Sequence, residues 1–95
     1  MDVNQVKGDV APGFESVKAL FTRQMHTLAE ENAQLCVYHR GKKVVDLWAS
    51  ATGNEVFSAD SLVNIFSSGK SLEAIAVGAL VSRGLIAYDA RITQY

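Results

Sequence analysis

The sequence predicts an α+β fold, in which a surface helix, a β-hairpin and a second, apolar helix follow one another along the chain. Three patterns support this prediction: apolar residues at helical spacing from Phe14, two β-rich runs that flank Gly41, and a nearly continuous apolar stretch that ends at Gly84. The 95 residues are 48% hydrophobic and 20% charged, which is ordinary for one small globular domain.

The first part of the chain predicts a polar lead-in followed by a surface helix. Residues 1–12 are polar and are expected to be flexible, so the predicted domain occupies residues 13–95. Beyond the lead-in, apolar residues recur at steps of three and four up to a helix end near Glu31. One apolar face of this helix would carry Phe14, Val17, Phe21, Met25 and Leu28.

The middle of the chain predicts a β-hairpin. Residues 35–39 and 43–49 are rich in β-forming side chains, and Gly41 lies in the turn between them. The apolar run 35–38 has no polar interruption and predicts burial on both faces of the first strand. Since an isolated hairpin is barely stable in water, these strands should need partner strands, and none is visible later in the chain.

The last third predicts a second helix over about residues 68–83. Its apolar residues leave almost no polar face, which is typical of a buried helix. Gly84 is expected to end the helix in a left-handed conformation. Asp89 is expected to cap a further helix that begins at Ala90, and the sequence contains only the first six residues of this helix. Together, these features predict an incomplete part of a larger fold.

Composition disfavours several classes of partner. The net charge of −1 predicts no nucleic-acid partner, and the longest apolar run, residues 74–81, is too short to cross a membrane. No secretory signal is visible, so the expected location is cytoplasmic. His26, Cys36 and His39 raise the question of a metal, but Cys36 and His39 would point to opposite faces of a strand. No metal or other cofactor is therefore predicted.

The segment "NIFSSGKS" allows two chemical interpretations, and the first is a phosphate-binding loop. Gly69, Lys70 and Ser71 match the end of that motif. Asn64, however, occupies the position of its first glycine. The bulky Ile65 and Phe66 follow where the backbone would have to curl closely around phosphate. The nucleotide interpretation is therefore disfavoured.

The second interpretation is a serine nucleophile with a lysine base. Ser67 and Lys70 are three residues apart, so on a helix their side chains share a face at about 5–6 Å between Cβ atoms. The free N–H of Ser67 at the helix start could bind an oxyanion. To accept the serine proton Lys70 must be neutral; burial beside Phe66 and Leu72 and the positive helix end would lower its pKa.

A purely structural interpretation stays open from the residues alone. Ser67 or Ser68 could be an ordinary helix cap and Lys70 a solvated residue, although a lysine is unfavourable in a first helical turn. Glu73, three residues beyond Lys70, could pair with it and hold it charged. The residue pattern does not decide between nucleophile and cap.

The stretch "DSLVNIFSSGKSLEAIAVGALVSRGLIAYDARITQY" resembles the serine β-lactamase and penicillin-binding-protein superfamily. The likeness is greatest to the branch of class C β-lactamases, D-alanyl-D-alanine carboxypeptidases and family VIII esterases. "AQLCVYHRGKKVVDLWAS" looks like the first hairpin of that family, and residues 14–31 look like its N-terminal helix. The resemblance covers residues 14–95 and implies the N-terminal portion of a β-lactamase/transpeptidase-like fold.

This resemblance implies that Ser67 is the acylated nucleophile, that Lys70 accepts its proton, and that the Ser67 N–H supplies half of the oxyanion hole. The substrate would be a small-molecule or peptide acyl compound: an ester, an amide or a D-amino-acid peptide. The family's Tyr-x-Asn and Lys-Thr-Gly elements do not occur here, and Tyr38, Tyr88 and Tyr95 lack the right context. The piece alone is therefore expected to be inactive without the remainder of its parent domain. The alternative is a non-catalytic β-lactamase-like scaffold or assembly domain.

Overall fold

A computed structural model describes residues 6–27 and 31–95 of the chain. The described residues form an antiparallel sheet of three strands in the order β1-β3-β2, together with two α-helices, as the predicted α+β class requires. The chain divides into two compact units, Met1–Leu62 and Val63–Tyr95. The elements are β1 (Lys7–Val10), α1 (Glu15–Thr27), β2 (Asn32–His39), β3 (Lys42–Ser50) and α2 (Lys70–Ser82), with 3-10 turns at Phe66–Gly69 and Ile92–Gln94.

The core of the first unit lies between β3 and α1. Val45 and Leu47 on β3 are each 1% exposed, and Val44 is also buried. The apolar face predicted for the first helix packs against this cluster through Phe14, Val17 and Phe21, and Met25 is buried too. That prediction is confirmed within the described range; Leu28 lies outside the described residues.

Strand β1 was not predicted. The sequence indicated a flexible lead-in over residues 1–12, but Lys7–Val10 pair antiparallel with β3. This strand is short and lacks an alternating apolar pattern, so its stability depends on hydrogen bonds that only the folded β3 can provide. Gly8 allows the close approach: a Cβ there would overlap the Asp46 carbonyl oxygen and lie 2.8 Å from the Trp48 ring.

The predicted hairpin is confirmed, but one of its expected features is wrong. Arg40 and Gly41 form the turn with φ values of 52° and 77°, as a tight two-residue connection between strands requires. Burial on both faces of residues 35–38 was expected, whereas Cys36, Val37 and Tyr38 are exposed, Tyr38 by 64%. The reason is that α1 packs on β1 and β3, and β2, an edge strand, has no described element covering both of its faces.

The second helix is not buried, contrary to the prediction. No residue of α2 is buried, and Leu72 and Ile75 are 63% and 67% exposed. The unit Val63–Tyr95, all of which is described, contains no strand and no second α-helix that could cover this apolar surface. The α-helix also begins at Lys70 rather than at Ser68, because a 3-10 turn precedes it.

The end of α2 agrees with the sequence. Gly84 has a φ of 73°, and its N–H donates to the Val81 carbonyl oxygen at 2.9 Å. The N–H of Leu85 donates to the Leu80 carbonyl oxygen at 3.0 Å. These two bonds form a Schellman cap, which satisfies carbonyl groups at the helix end. The predicted left-handed glycine is therefore confirmed.

The prediction of a helix after Asp89 is wrong. Residues 87–90 form a turn in which the Ala90 N–H donates to the Ala87 carbonyl oxygen, and Arg91 is extended. Only the 3-10 turn Ile92–Gln94 follows, and it has no side-chain cap. Among the described residues, no helix is long and apolar enough to span a membrane.

Candidate functional site

The candidate site is the turn that connects Ser67 to Lys70. Ser67 lies in the 3-10 turn Phe66–Gly69, and the backbone N–H of Lys70 donates to the Ser67 carbonyl oxygen. Residues three apart in such a turn are nearly eclipsed, so the two side chains project from the same side. Both residues are exposed. The local backbone therefore places both residues in one turn, and no hydrogen bond joins their side chains within the described residues.

The residues just before Ser67 hold an unusual backbone conformation. Phe66 has a φ of 46°, although a bulky side chain costs about 1–2 kcal/mol in the left-handed region. The Oδ1 of Asn64 accepts a hydrogen bond from the Phe66 N–H at 2.8 Å. The Ser68 N–H donates to the Ile65 carbonyl oxygen at 3.0 Å. Two local hydrogen bonds therefore support the turn that presents Ser67.

The backbone N–H of Ser67 has no acceptor within the described parts of the chain. It lies at the start of a helical segment, where N–H groups lack an intrahelical partner. Such a donor is available to a negatively charged oxygen. This is the arrangement that the oxyanion hypothesis requires of Ser67.

The surroundings of Lys70 differ from those expected. Phe66 and Leu72 were expected to bury it, but Phe66 is 83% exposed and Lys70 itself is exposed. The apolar surface that should cover Lys70 is therefore lacking within the unit. The pairing considered for Glu73 is not formed: the ion pairs between described residues are Lys7–Glu55 at 3.3 Å and Lys43–Asp46 at 2.9 Å.

The other polar residues weighed from the sequence do not join this site. Across residues 6–27 and 31–95, no group of three or more His, Cys, Asp or Glu side chains is arranged to hold a metal ion. Cys36 is an exposed free thiol on β2. The hydroxyl oxygen of Tyr95 accepts a hydrogen bond from the Ala87 N–H at 3.0 Å.

Sequence reasoning overlooked Asn64 as a structural contributor. It entered only as a residue that replaces the first glycine of a phosphate-binding loop. A usable signal was present, because asparagine side chains often bond the backbone N–H two residues later, as Asn64 does here. Nothing in the sequence indicated that Phe66, whose N–H donates this bond, would have a positive φ.

The α+β fold and the Ser-x-x-Lys turn at the start of α2 agree with the class of protein that the sequence resembles, the serine β-lactamases and penicillin-binding proteins. The family model described as Beta-lactamase matches residues 17–95, and the chain belongs to this family. The family inferred from the sequence is thus confirmed. Among curated proteins, the esterase/beta-lactamase LipL of Mycobacterium tuberculosis is 34% identical over 94 residues, a match that covers 96% of this chain and 22% of the relative. No solved structure matches the chain.

Proposed function

We propose that this chain is part of a β-lactamase-related serine hydrolase that works through an acyl-enzyme on Ser67. The observation that supports the proposal is the turn in which the Lys70 N–H donates to the Ser67 carbonyl oxygen, since side chains three residues apart in such a turn are expected to share a side. Membership of the β-lactamase family and the esterase name of a relative add support. Because the chain spans 22% of that relative, the activity is proposed for a full-length parent.

In the proposed reaction, Ser67 Oγ attacks the acyl carbon of an ester, an amide or a D-amino-acid peptide. As the C–O bond forms, the hydroxyl proton passes to neutral Lys70 Nζ and the carbonyl π electrons move to the oxygen. The Ser67 N–H stabilises this oxyanion, and one such donor typically contributes about 3–4 kcal/mol in the transition state.

The second half of the reaction restores the enzyme. Collapse of the oxyanion breaks the bond to the leaving alcohol or amine, which takes the proton from Lys70. Water then attacks the acyl-Ser67 ester, gives one proton to Lys70 and releases the acid, and Ser67 Oγ regains a proton from Lys70. No metal or cofactor takes part in these steps.

The 95-residue piece is expected to be inactive by itself. Phe66 and Leu72 beside the site are exposed, so they exclude no water from Lys70. We propose that the remainder of the parent domain covers this surface and supplies the second oxyanion donor.

The division into residues 1–12 and 13–95 also stays a proposal, and the pairing of β1 with β3 favours an earlier domain start.

The decisive test is Ser67→Ala in the full-length parent, with Ser68→Ala as the matched control. Loss of the nucleophile should lower hydrolysis of a p-nitrophenyl ester at least about a thousandfold. Ser68→Ala should stay within about threefold of wild type, because its side chain has no proposed role. Lys70→Ala should lower kcat by about 10²- to 10⁴-fold, the usual contribution of a general base.

Fluorophosphonate labelling gives an independent readout of the nucleophile. The parent should be labelled at Ser67, and the 95-residue piece should not be labelled. Hydrolysis that survives Ser67→Ala unchanged would contradict the catalytic proposal and favour the non-catalytic scaffold or assembly domain. A small-molecule or peptide acyl substrate and a cytoplasmic location stay predictions.

A further inference from the structure

We propose that Asn64 is a positioning residue for Ser67, because its side chain holds Phe66 in the positive-φ conformation from which the Ser67 turn begins. This inference rests on the proposed function of Ser67 as a nucleophile. It concerns residues of one compact unit, Val63–Tyr95, and three observations carry it.

The first observation is the conformation of Phe66. Its φ of 46° lies in a region that residues with a Cβ rarely adopt, and aromatic residues have no local side-chain hydrogen bond to favour it. In an unsupported chain, Phe66 would return to a negative φ. Some interaction in the folded unit must therefore maintain the observed value.

The second observation is that side-chain packing does not supply this interaction. Phe66 is among the most exposed large apolar residues of the unit, and the neighbouring Val63 and Ile65 are also exposed. Within the unit Val63–Tyr95, the contacts that restrain the segment are therefore local and polar.

The third observation is the hydrogen bond itself. Asn64 Oδ1 accepts the Phe66 N–H at 2.8 Å, a short distance for an amide donor. The next bond, from the Ser68 N–H to the Ile65 carbonyl oxygen, closes the following turn. The 3-10 turn has no side-chain cap at Ile65, so the bond that Asn64 Oδ1 accepts is the side-chain restraint at its start.

The consequence for Ser67 follows from chain geometry. Rotation about φ of Phe66 turns the peptide group that carries the Ser67 N–H, and it also redirects the Ser67 side chain. If Phe66 relaxed, the oxyanion donor and the nucleophile would leave their positions together. The loss should therefore appear in kcat, since it affects interactions made in the transition state more than substrate binding.

The experiment is a double-mutant cycle in the full-length parent, using Asn64→Ala and Phe66→Gly. Asn64→Ala should lower kcat for a p-nitrophenyl ester about tenfold, while KM changes less than about twofold. Glycine adopts positive φ freely, so adding Asn64→Ala to Phe66→Gly should cost less than about twofold relative to Phe66→Gly alone. Asn64→Asp keeps the acceptor oxygen and should stay within about threefold of wild type.

The cycle separates positioning from a general effect on folding. If Asn64 only stabilised the unit, Asn64→Ala would cost the same factor with phenylalanine or glycine at position 66, and the proposal would be overturned. Wild-type kcat in Asn64→Ala would overturn it as well. If Asn64→Ala proved too unstable to assay, the double variant compared with Phe66→Gly would still decide: a cost below about twofold supports positioning, and a cost of about tenfold overturns it.

The Ser67→Ala variant keeps this inference separate from the proposed function. Undiminished hydrolysis in Ser67→Ala would reject the function itself, whatever Asn64 does. Loss of hydrolysis in Ser67→Ala, combined with additive effects of Asn64→Ala and Phe66→Gly, would retain the nucleophile and reject the positioning role of Asn64.

Discussion

The two units of this chain place their apolar residues in different environments. In Met1–Leu62, a helix packs on a three-stranded sheet and buries Val45 and Leu47. In Val63–Tyr95, α2 is at least as apolar as α1 of the first unit, yet none of its residues is buried. A sheet gives an amphipathic helix a surface to pack against, whereas a lone helix with short turns has none. The first unit therefore carries its own core, and the candidate site lies in the unit without one.

The largest expected effect tests this contrast directly. In the 95-residue chain, Leu47→Ala should lower the free energy of unfolding by about 2–5 kcal/mol, because it leaves a cavity in the buried cluster. Leu72→Ala on α2 should change it by no more than about 0.5 kcal/mol, since Leu72 is already exposed. Urea denaturation measures both variants, and similar losses would contradict the contrast.

The same pair of variants can sharpen the comparison in the full-length parent. If the remainder of the parent domain covers α2, Leu72→Ala should there cost about 2 kcal/mol or more, close to the cost of a buried leucine. A cost that stays below about 0.5 kcal/mol would indicate that α2 remains uncovered in the parent.

The next effect concerns the packing of β1 on β3. Gly8→Ala should destabilise the first unit by about 2–4 kcal/mol, because the added Cβ meets the Asp46 backbone and the Trp48 ring at a positive φ. Gly13→Ala is the matched control: it has the same φ of 96° but nothing within 4 Å of the new Cβ. It should cost only about 1–2 kcal/mol of backbone strain. Equal thermal shifts for the two variants would refute the close approach of β1.

A smaller effect is expected at the end of α2. Gly84→Ala should cost about 1–2 kcal/mol, because the Schellman cap needs a positive φ of 73°. Gly69→Ala, at a helical φ of −60° with open space around its Cβ, should be neutral or stabilising by about 0.5–1 kcal/mol. Helical circular dichroism during urea unfolding would compare them. A gain from Gly84→Ala would be inconsistent with the cap.

The smallest effect is a pH dependence at the start of α1. Hydrogen bonds from its own backbone N–H and that of Gly13 hold the pKa of Glu15 below its ordinary value of 4.5. A depressed pKa in the folded state stabilises the fold above pH 4.5, and this contribution is lost as pH falls through the lowered value. Glu15→Gln should therefore reduce the loss of stability between neutral and acidic pH, as followed by urea midpoints. An unchanged acid dependence would argue against the Glu15 bonds.

Much of the first unit could be predicted from its sequence because the responsible interactions are local. The spacing of Phe14, Val17 and Phe21 indicated the face that packs on the sheet, and Gly41 indicated the turn. Strand β1 could not be predicted in this way. Its four residues have no apolar alternation, and it forms only where Gly8 lets it approach β3.

Only the part of the candidate site that depends on local spacing could be predicted from the sequence. Ser67 and Lys70 lie in one turn because of their spacing, which is read directly from the sequence. The exposure of Phe66 and Leu72 was not predictable, since an apolar side chain is buried only where another element covers it. The role of Asn64 depended on the φ of Phe66, and no residue pattern encodes that value.

The sequence by itself determined the α+β class, the hairpin, the glycine end of α2, the spacing of Ser67 and Lys70 within one turn and the β-lactamase family. These features depend on residues a few positions apart or on a motif. Only the tertiary structure decided that Lys7–Val10 form a strand, that β2 is an edge, and that α2 is uncovered in its unit. Each of these features depends on which segments, distant in sequence, pack or pair with one another. Burial and strand pairing are therefore set by tertiary contacts rather than by local sequence.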